Sequence, residues 1–193
     1  MKIKIIPIGY LQTNCYLVSA INGDTLIIDP GDEAEKIKQA IEKEKLQPKL
    51  IINTHSHYDH VGANASLASY YNIATAMHED GKMFAELQKL RINRWLKDHD
   101  LIQIGPLVFE VLETPGHDAS AICLYNKEEN VLFSGDTLFA GDIGRTDLPG
   151  SSPQKMRQSL KRIFNLPSQT LVYPGHGEQT TIENEKMLLS SGL

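Results

Sequence analysis

The chain has 193 residues, with 19 Lys and Arg against 24 Asp and Glu and a net charge of −5. A chain of that length buries a core without disulfides or structural metal, so one domain is expected over residues 1–193. The acidic balance, with no basic block, argues against nucleic acid or an acidic membrane surface as a partner.

The start, "MKIKIIPIGY", carries Lys2 and Lys4 and is interrupted at Pro7, unlike the apolar stretch of a signal peptide. Nothing approaches the roughly 18 apolar residues of a membrane span, and a soluble, cytoplasmic protein is expected. In chain order, β-rich runs at 3–8, 15–20 and 25–29, punctuated by "QTN", "NGD" and "DPGD", predict a meander. Asp32 is placed to cap a helix whose Ala34, Ile37 and Ile41 share one face, with Glu35 completing a capping box; this helix should end before Pro48. "LIIN" at 50–53 reads as a fully buried strand, 62–71 as a helix, "IATAM" at 73–77 as a strand, and 80–97 as a charged amphipathic helix with room for a break. From Leu101 the pattern returns to β, with strands at 107–112, 121–125 and 131–134 and "NKEEN" as a hairpin turn. A helix at about 153–164, the strand "TLVYP" and a short helix at about 181–189 close the chain. Cys15 and Cys123 fall inside apolar runs and read as buried, reduced thiols on strands. The order of β-meander and helices, repeated without a linker, predicts an α/β (αββα) fold: two sheets face to face with helices on both outer sides.

Polar motifs interrupt this pattern wherever a strand gives way to a loop. "THSHYDH" at 54–60 concentrates three imidazoles and a carboxylate, and "TPGHD" and "YPGHGE" add His117 and His176. "SGDT" adds Asp136. Residues two apart in an extended segment point the same way, so His55 and His57 suit one ion and the pair Asp59 and His60 another. Two divalent ions about 3.5–4 Å apart share an anionic ligand, for which Asp136 is the candidate. One ion would then take His55, His57 and His117, the other Asp59, His60 and His176, with Asp136 spanning both. Imidazole and carboxylate without thiolate suit zinc, iron or manganese alike. His78 and His99 lack such company and read as solvent-facing or capping residues.

Taken together, "THSHYDH", "TPGHD", "SGDTLFAGDIGRTDLPGSS" and "YPGHGEQTTIENEK" resemble the motifs of the metallo-β-lactamase superfamily, and within it the short bacterial glyoxalase II-like hydrolases. The resemblance implies a four-layer αβ/βα sandwich with a binuclear site at one edge and the same seven ligands. It makes Asp59 and Asp136 catalytic as well as metal-binding. True metallo-β-lactamases typically have cysteine or serine at the position of Asp136, which argues against lactam hydrolysis. Longer glutathione-specific relatives add a basic C-terminal helical domain, which a chain closing at Leu193 is expected to lack. They also follow the last metal histidine with glutamate and tyrosine, where this sequence has Gly177 and Glu178.

Arg145 falls where glyoxalase II enzymes place a basic residue near the thiol, so it is a candidate for holding a substrate carboxylate. The competing reading is an ion pair with Asp147 or Asp142 that shapes the loop. Asp29 in "IIDPG" matches a family aspartate expected to support the "THSHYDH" turn by hydrogen bonds. The segment 84–95 could wall a substrate cleft, or be an ordinary amphipathic helix with Leu87, Leu90 and Trp95 inward. The leading expectation is a hydrolase cleaving a small acyl-thioester of the S-lactoylglutathione type with a metal-bridging hydroxide. The alternative is a mononuclear iron persulfide dioxygenase, since that branch carries a similar "GRTD" segment. A lactonase or other esterase, and a metal-binding protein without catalysis, are the remaining readings.

Overall fold

The computed structural model describes residues 1–189. Strands β1 (Lys2–Ile8), β2 (Thr13–Ser19) and β3 (Asp24–Ile28) form the expected meander. Helix α1 (Ala34–Lys43) then leads into β4 (Gln47–Ile52). Two short helices, α2 (Tyr58–Val61) and α3 (Asn64–Tyr71), precede β5 (Ala74–His78). A 3-10 turn (Glu79–Gly81) and α4 (Lys82–Leu87) lead to β6 (Arg94–Leu96). These six strands form one sheet in the order β1-β2-β3-β4-β5-β6.

The second half repeats the plan. Strands β7 (Leu101–Ile104), β8 (Leu107–Glu113), β9 (Ile122–Asn126) and β10 (Val131–Gly135) are followed by a small hairpin, β11 (Leu138–Phe139) and β12 (Asp142–Ile143). Helix α5 (Pro153–Ile163), β13 (Leu171–Pro174), β14 (Thr180–Thr181) and α6 (Ile182–Leu189) follow. The second sheet runs β14-β13-β10-β9-β8-β7.

Side-chain alternation sorts the core into three apolar layers. Leu26 and Ile28 pair in register with Leu50 and Ile52 and face the other sheet, meeting Phe109, Val111 and Phe133. Their neighbours Ile27 and Ile51 point outward and are covered by Ile37 and Ile41 of α1 and Leu67 of α3. On the far side Met156, Leu160 and Ile163 of α5 cover Leu132 and Cys123. Because both faces of β4 are covered, "LII" is continuously apolar, as the sequence reading required. Burying Ile37 and Ile41 contributes about 1.5–3 kcal/mol each. This is the αββα sandwich. Both cysteines are buried and free. Among the described residues no helix is long and apolar enough to cross a membrane.

Three local expectations need correction. The segment 80–97 is not one helix: α4 stops at Leu87, Lys89 adopts a left-handed conformation, and Arg94–Leu96 joins the sheet as a parallel partner of β5. Leu87 is accordingly 72% exposed rather than inward. The capping box at α1 does not form. Glu33, at φ 47°, is the cap residue, while Asp32 accepts from the Glu33 amide and Glu35 pairs with Lys38. The predicted helix at 62–71 is divided at Gly62 and Ala63, and its first turn begins inside the histidine motif at Tyr58.

Topology decides where the loops gather. β3 and β4 are parallel, and β1 runs with them because β2 is antiparallel to both of its neighbours. In the other sheet β8, β10 and β13 share one direction through the antiparallel β9. The C-terminal ends of β1, β3, β4, β8, β10 and β13 therefore all reach an edge where the two sheets meet. A bridge between Thr13 and His176 joins the sheets there.

Candidate metal centre

Each motif leaves the end of one of those strands: residues 54–60 after β4, His117 after β8, Asp136 after β10 and His176 after β13. Three overlapping donor groups result, namely His55, His57 and His117; His55, His60 and Asp136; and Asp59, His60 and His176. The change from extended backbone at His57 to the helical turn of α2 brings Asp59 and His60 to His176, while the His60 ring also lies 4.1 Å from that of His55. All seven residues expected at the centre are brought together.

Hydrogen bonds on the outer side of the rings fix which nitrogen faces inward. His117 Nδ1 lies 2.9 Å from the Arg145 carbonyl, and His176 Nδ1 lies 3.1 Å from the Leu11 carbonyl. A carbonyl only accepts, so each Nδ1 carries a proton, and in the neutral ring each Nε2 turns a lone pair inward. Thr54 Oγ1 donates to Asp29 Oδ2 at 2.6 Å, which leaves it to accept from His55 Nδ1 at 3.2 Å. His55 Nε2 is then also a lone pair. His60 Nδ1 sits 3.0 Å from Asp29 Oδ2, although off the line of a hydrogen bond. His57 is reversed: its Nδ1 faces inward, and its Nε2 lies 3.9 Å from Asp118 Oδ2.

Three lone pairs thus converge. His57 Nδ1 is 3.0 Å from His55 Nε2 and 2.9 Å from His117 Nε2, an arrangement that repels itself unless a cation lies between. In the neighbouring group the separations are wider. His60 Nε2 and His176 Nε2 each lie 3.4 Å from Asp59 Oδ2. Tetrahedral ligands at 2.0–2.1 Å from zinc are about 3.3–3.4 Å apart, so this spacing is that of donors around one ion. Asp136 faces both groups: Oδ2 is 3.6 Å from His117 and 3.5 Å from His176, and Oδ1 is 3.5 Å from His60.

Buried His60 Nε2 and Asp136 Oδ1 have no hydrogen-bond partner. Unpartnered polar atoms are rare inside proteins, and a bound ion would satisfy both. The donor set therefore fits divalent metal. Close backbone approach is part of the construction. A Cβ on Gly175 would overlap Asp136 Oδ1 and come within 2.9 Å of the His60 ring, and one on Gly31 would overlap the Asp59 carbonyl.

The electrostatics follow from burial and charge. Burial, then the neighbouring imidazoles, pulls His55 well below the usual histidine range; burial and His117 lower His57. Burial alone would raise Asp59 and Asp136, yet the adjacent histidines hold both carboxyls below their ordinary values. Burial opposes protonation of His176 too, but Asp136 and Asp59 outweigh it and lift its pKa to about 10. Carboxylates here stay ionised, and burial disfavours the protonated form of His55 and His57, as suits metal ligands.

Asp29 is where the sequence put it, accepting from the Thr54 amide at 2.7 Å and from its hydroxyl. Arg145 is bound through both arms to Asp147, at 2.7 and 2.8 Å, with its side chain 62% exposed. The ion-pair reading describes it, and its carbonyl orients His117. Gln88 Nε2 donates to the Ser56 carbonyl at 2.8 Å, which places the end of α4 beside the histidine loop. His78 is buried, not solvent-facing; its ring accepts from the Asp80 amide as a cap and meets Glu113 at 2.8 Å. His99 is exposed and bonds Glu110.

Several contributors escaped the sequence reading. Asp118 is buried, accepts from Ser56 Oγ at 3.0 Å and from the Ser120 amide at 2.7 Å, and faces His57. Its adjacency to His117 in "TPGHD" was the available signal. Thr13 Oγ1 donates to Asp59 at 2.9 Å, while Asn14 holds the Pro174 and Gly177 carbonyls on either side of His176. "QTN" had carried no signal beyond punctuation.

The sandwich and this edge of histidines and aspartates define a metallo-hydrolase architecture. A family model of the metallo-β-lactamase superfamily matches residues 8–176, and the chain belongs to that superfamily. It is 34% identical over 202 residues to the hydroxyacylglutathione hydrolase GloC of Haemophilus influenzae, covering 96% of this chain and 95% of that one. Among solved structures it is similar to BLEG-1, a B3 metallo-β-lactamase, with a TM-score of 0.90, 33% identity and coverage of 96% and 97%. It is also similar to TTHA1623, solved in a di-iron-bound form, with a TM-score of 0.81, 38% identity and coverage of 94% and 96%.

Proposed function

We propose that the chain is a thioesterase of the glyoxalase II type, cleaving a small acyl-thioester of the S-lactoylglutathione kind with two divalent metal ions, zinc first. The convergence of three imidazole lone pairs beside a second group, with Asp136 facing both, carries this reading. Likeness to a hydroxyacylglutathione hydrolase over nearly the whole chain supports the reaction type. His55, His57 and His117 would hold one ion and Asp59, His60 and His176 the other, with Asp136 between them. Bound there, the ions would supply a water acidified to a pKa of about 7 and an electrophile for the thioester carbonyl. Asp59, kept ionised and fixed by Thr13, would orient the attacking water. Outer-side hydrogen bonds to His55 and His117 aim their inward nitrogens at the centre, and a cation bound there would displace the proton that Asp136 and Asp59 favour on His176.

Metal analysis of the purified protein, paired with thioester, lactone, β-lactam and persulfide substrates, tests this. Two ions per chain are expected, with thioester turnover lost in Asp136→Ala and His57→Ala together with bound metal. Full thioesterase activity in either variant, or turnover of the lactam alone, refutes the assignment. A second reading, a persulfide dioxygenase with one iron at His55, His57 or His117, and Asp136, draws on iron as the metal of the similar TTHA1623, which itself was solved with two irons. One iron per chain and oxygen uptake with a persulfide would select it.

A further inference from the structure

The β1–β2 connection, residues 9–12, reaches the same edge as the metal ligands, and beside it lies a hollow of about 120 Å³. Its walls include Tyr10, Leu11, Tyr58, Gly31 and Asp32, and Asp59 lies at its inner end. Tyr10 is 98% and Tyr58 69% exposed, more than a soluble surface needs of two aromatic rings beside a reaction centre. The Asp32 carboxylate accepts the Glu33 amide through Oδ1, and among the described residues no cation pairs with it. Lys36, in the first turn of α1, is engaged by Glu33 and the Pro7 carbonyl. Arg145, the cation the sequence offered for a substrate carboxylate, is neutralised by Asp147.

We propose that this hollow is a specificity subsite that receives a cationic, ammonium-bearing arm of the substrate, held between the faces of Tyr10 and Tyr58 and the carboxylate of Asp32. The inference rests on the hydrolase reading in placing the scissile bond over Asp59 and His176. A hollow of about 120 Å³ is small, which suits a compact cationic head group rather than an extended one. Aromatic faces attract cations, and a single unpaired carboxylate adds selectivity over neutral groups and repels anions. Leu11 ties the hollow to the centre, since its carbonyl holds His176.

The test uses the metal-loaded protein and two readouts. Turnover is compared for S-acetylthiocholine, its uncharged isostere S-acetyl-3,3-dimethylbutanethiol, and S-acetyl-3-mercaptopropionate. Binding of the corresponding non-hydrolysable S-methyl thioethers is measured by calorimetry. The cationic member is expected to have a KM and Kd about five- to tenfold below the neutral one, with the anionic member weakest. Asp32→Asn should reduce the cation-to-neutral ratio to about twofold or less, and Tyr58→Leu should halve it or more. Should a variant fold poorly, the wild-type ratio still decides, because it must shrink as ionic strength rises. Equal affinities across the charge series, or a preference untouched by Asp32→Asn and by salt, overturns the subsite. Thioether selectivity without any thioester turnover would instead refute the proposed reaction and leave the subsite standing.

Discussion

Thr54→Val is the sharpest test of how the centre is organised, because valine keeps the shape of threonine and deletes only its hydroxyl. That hydroxyl is fully buried, donates to Asp29 Oδ2 at 2.6 Å, and accepts from His55 Nδ1 at 3.2 Å. Its loss leaves His55 free to place its proton on the inward nitrogen and removes a hydrogen bond to a buried carboxylate. A hydrogen bond to a charged group is worth about 1.5–3 kcal/mol. At about 2–4 °C per kcal/mol for a chain of this size, Tm should fall by roughly 3–12 °C. Loss of an outer partner of a metal-binding histidine costs about 10–100-fold in affinity. Competition with a chelator should therefore show weakening of one of two metal equivalents, the one on the His55 side, while Thr54→Ser, which retains the hydroxyl, stays within a fewfold of wild type. A Thr54→Val protein that holds both equivalents with wild-type affinity would refute the tautomer argument, whatever its stability.

Other perturbations probe separate parts of the construction. Gly175→Ala drives a Cβ against Asp136 Oδ1 and His60, so metal content should fall below one ion per chain while the circular dichroism spectrum stays native. Asp118→Asn changes the group facing His57 Nε2 and should weaken the His57-side equivalent by about tenfold, leaving the Asp59-side equivalent intact in metal titrations. Glu44 is held by Lys2 at 2.7 Å and by Lys4, and these partners lower its carboxyl to about 2. Its folded pKa lies below the unfolded value, so its stabilisation is complete above about pH 4.5 and is lost as pH falls through about 2. Exposure of the lysines limits it to about 1 kcal/mol. Glu44→Gln should thus be less stable than wild type in urea at pH 6, and equally stable near pH 2.

How much was legible in the sequence depended on whether a residue's partner was near in the chain or supplied by topology. The five histidines and two aspartates were readable because each leaves a strand end, and α/β folds bring such ends to one edge. The apolar run of β4 announced a strand covered on both faces. Residues 84–95, by contrast, have good helix formers in "FAELQKL", and only the open edge of β5 explains why "RWL" is drawn into the sheet. Local propensity lost to a tertiary ladder there. Thr13 and Asn14 were invisible because their roles depend on β2 starting at the metal edge, a fact of sheet order that no short window contains. Arg145 adds a contact of the same kind, since its carbonyl meets His117 and no side-chain charge announces that.

Asp29 joins these observations into one argument about what the fold is built to hold. It sits at φ 50°, a left-handed conformation uncommon outside glycine, and its side chain is 1% exposed. Burying a carboxylate and straining a backbone both cost stability, and a hydrophobic residue in that place would avoid the first cost. What the arrangement achieves is control of two imidazoles at once: His55 through the Thr54 hydroxyl, and His60 by direct contact at 3.0 Å. Those two rings share one donor group with Asp136, and each also belongs to one of the other two groups. A disturbance at Asp29 is therefore felt by both halves of the centre, whereas one at Asp118 reaches His57 alone. The fold accepts local strain to orient imidazoles in adjoining donor groups, which packing alone would never require.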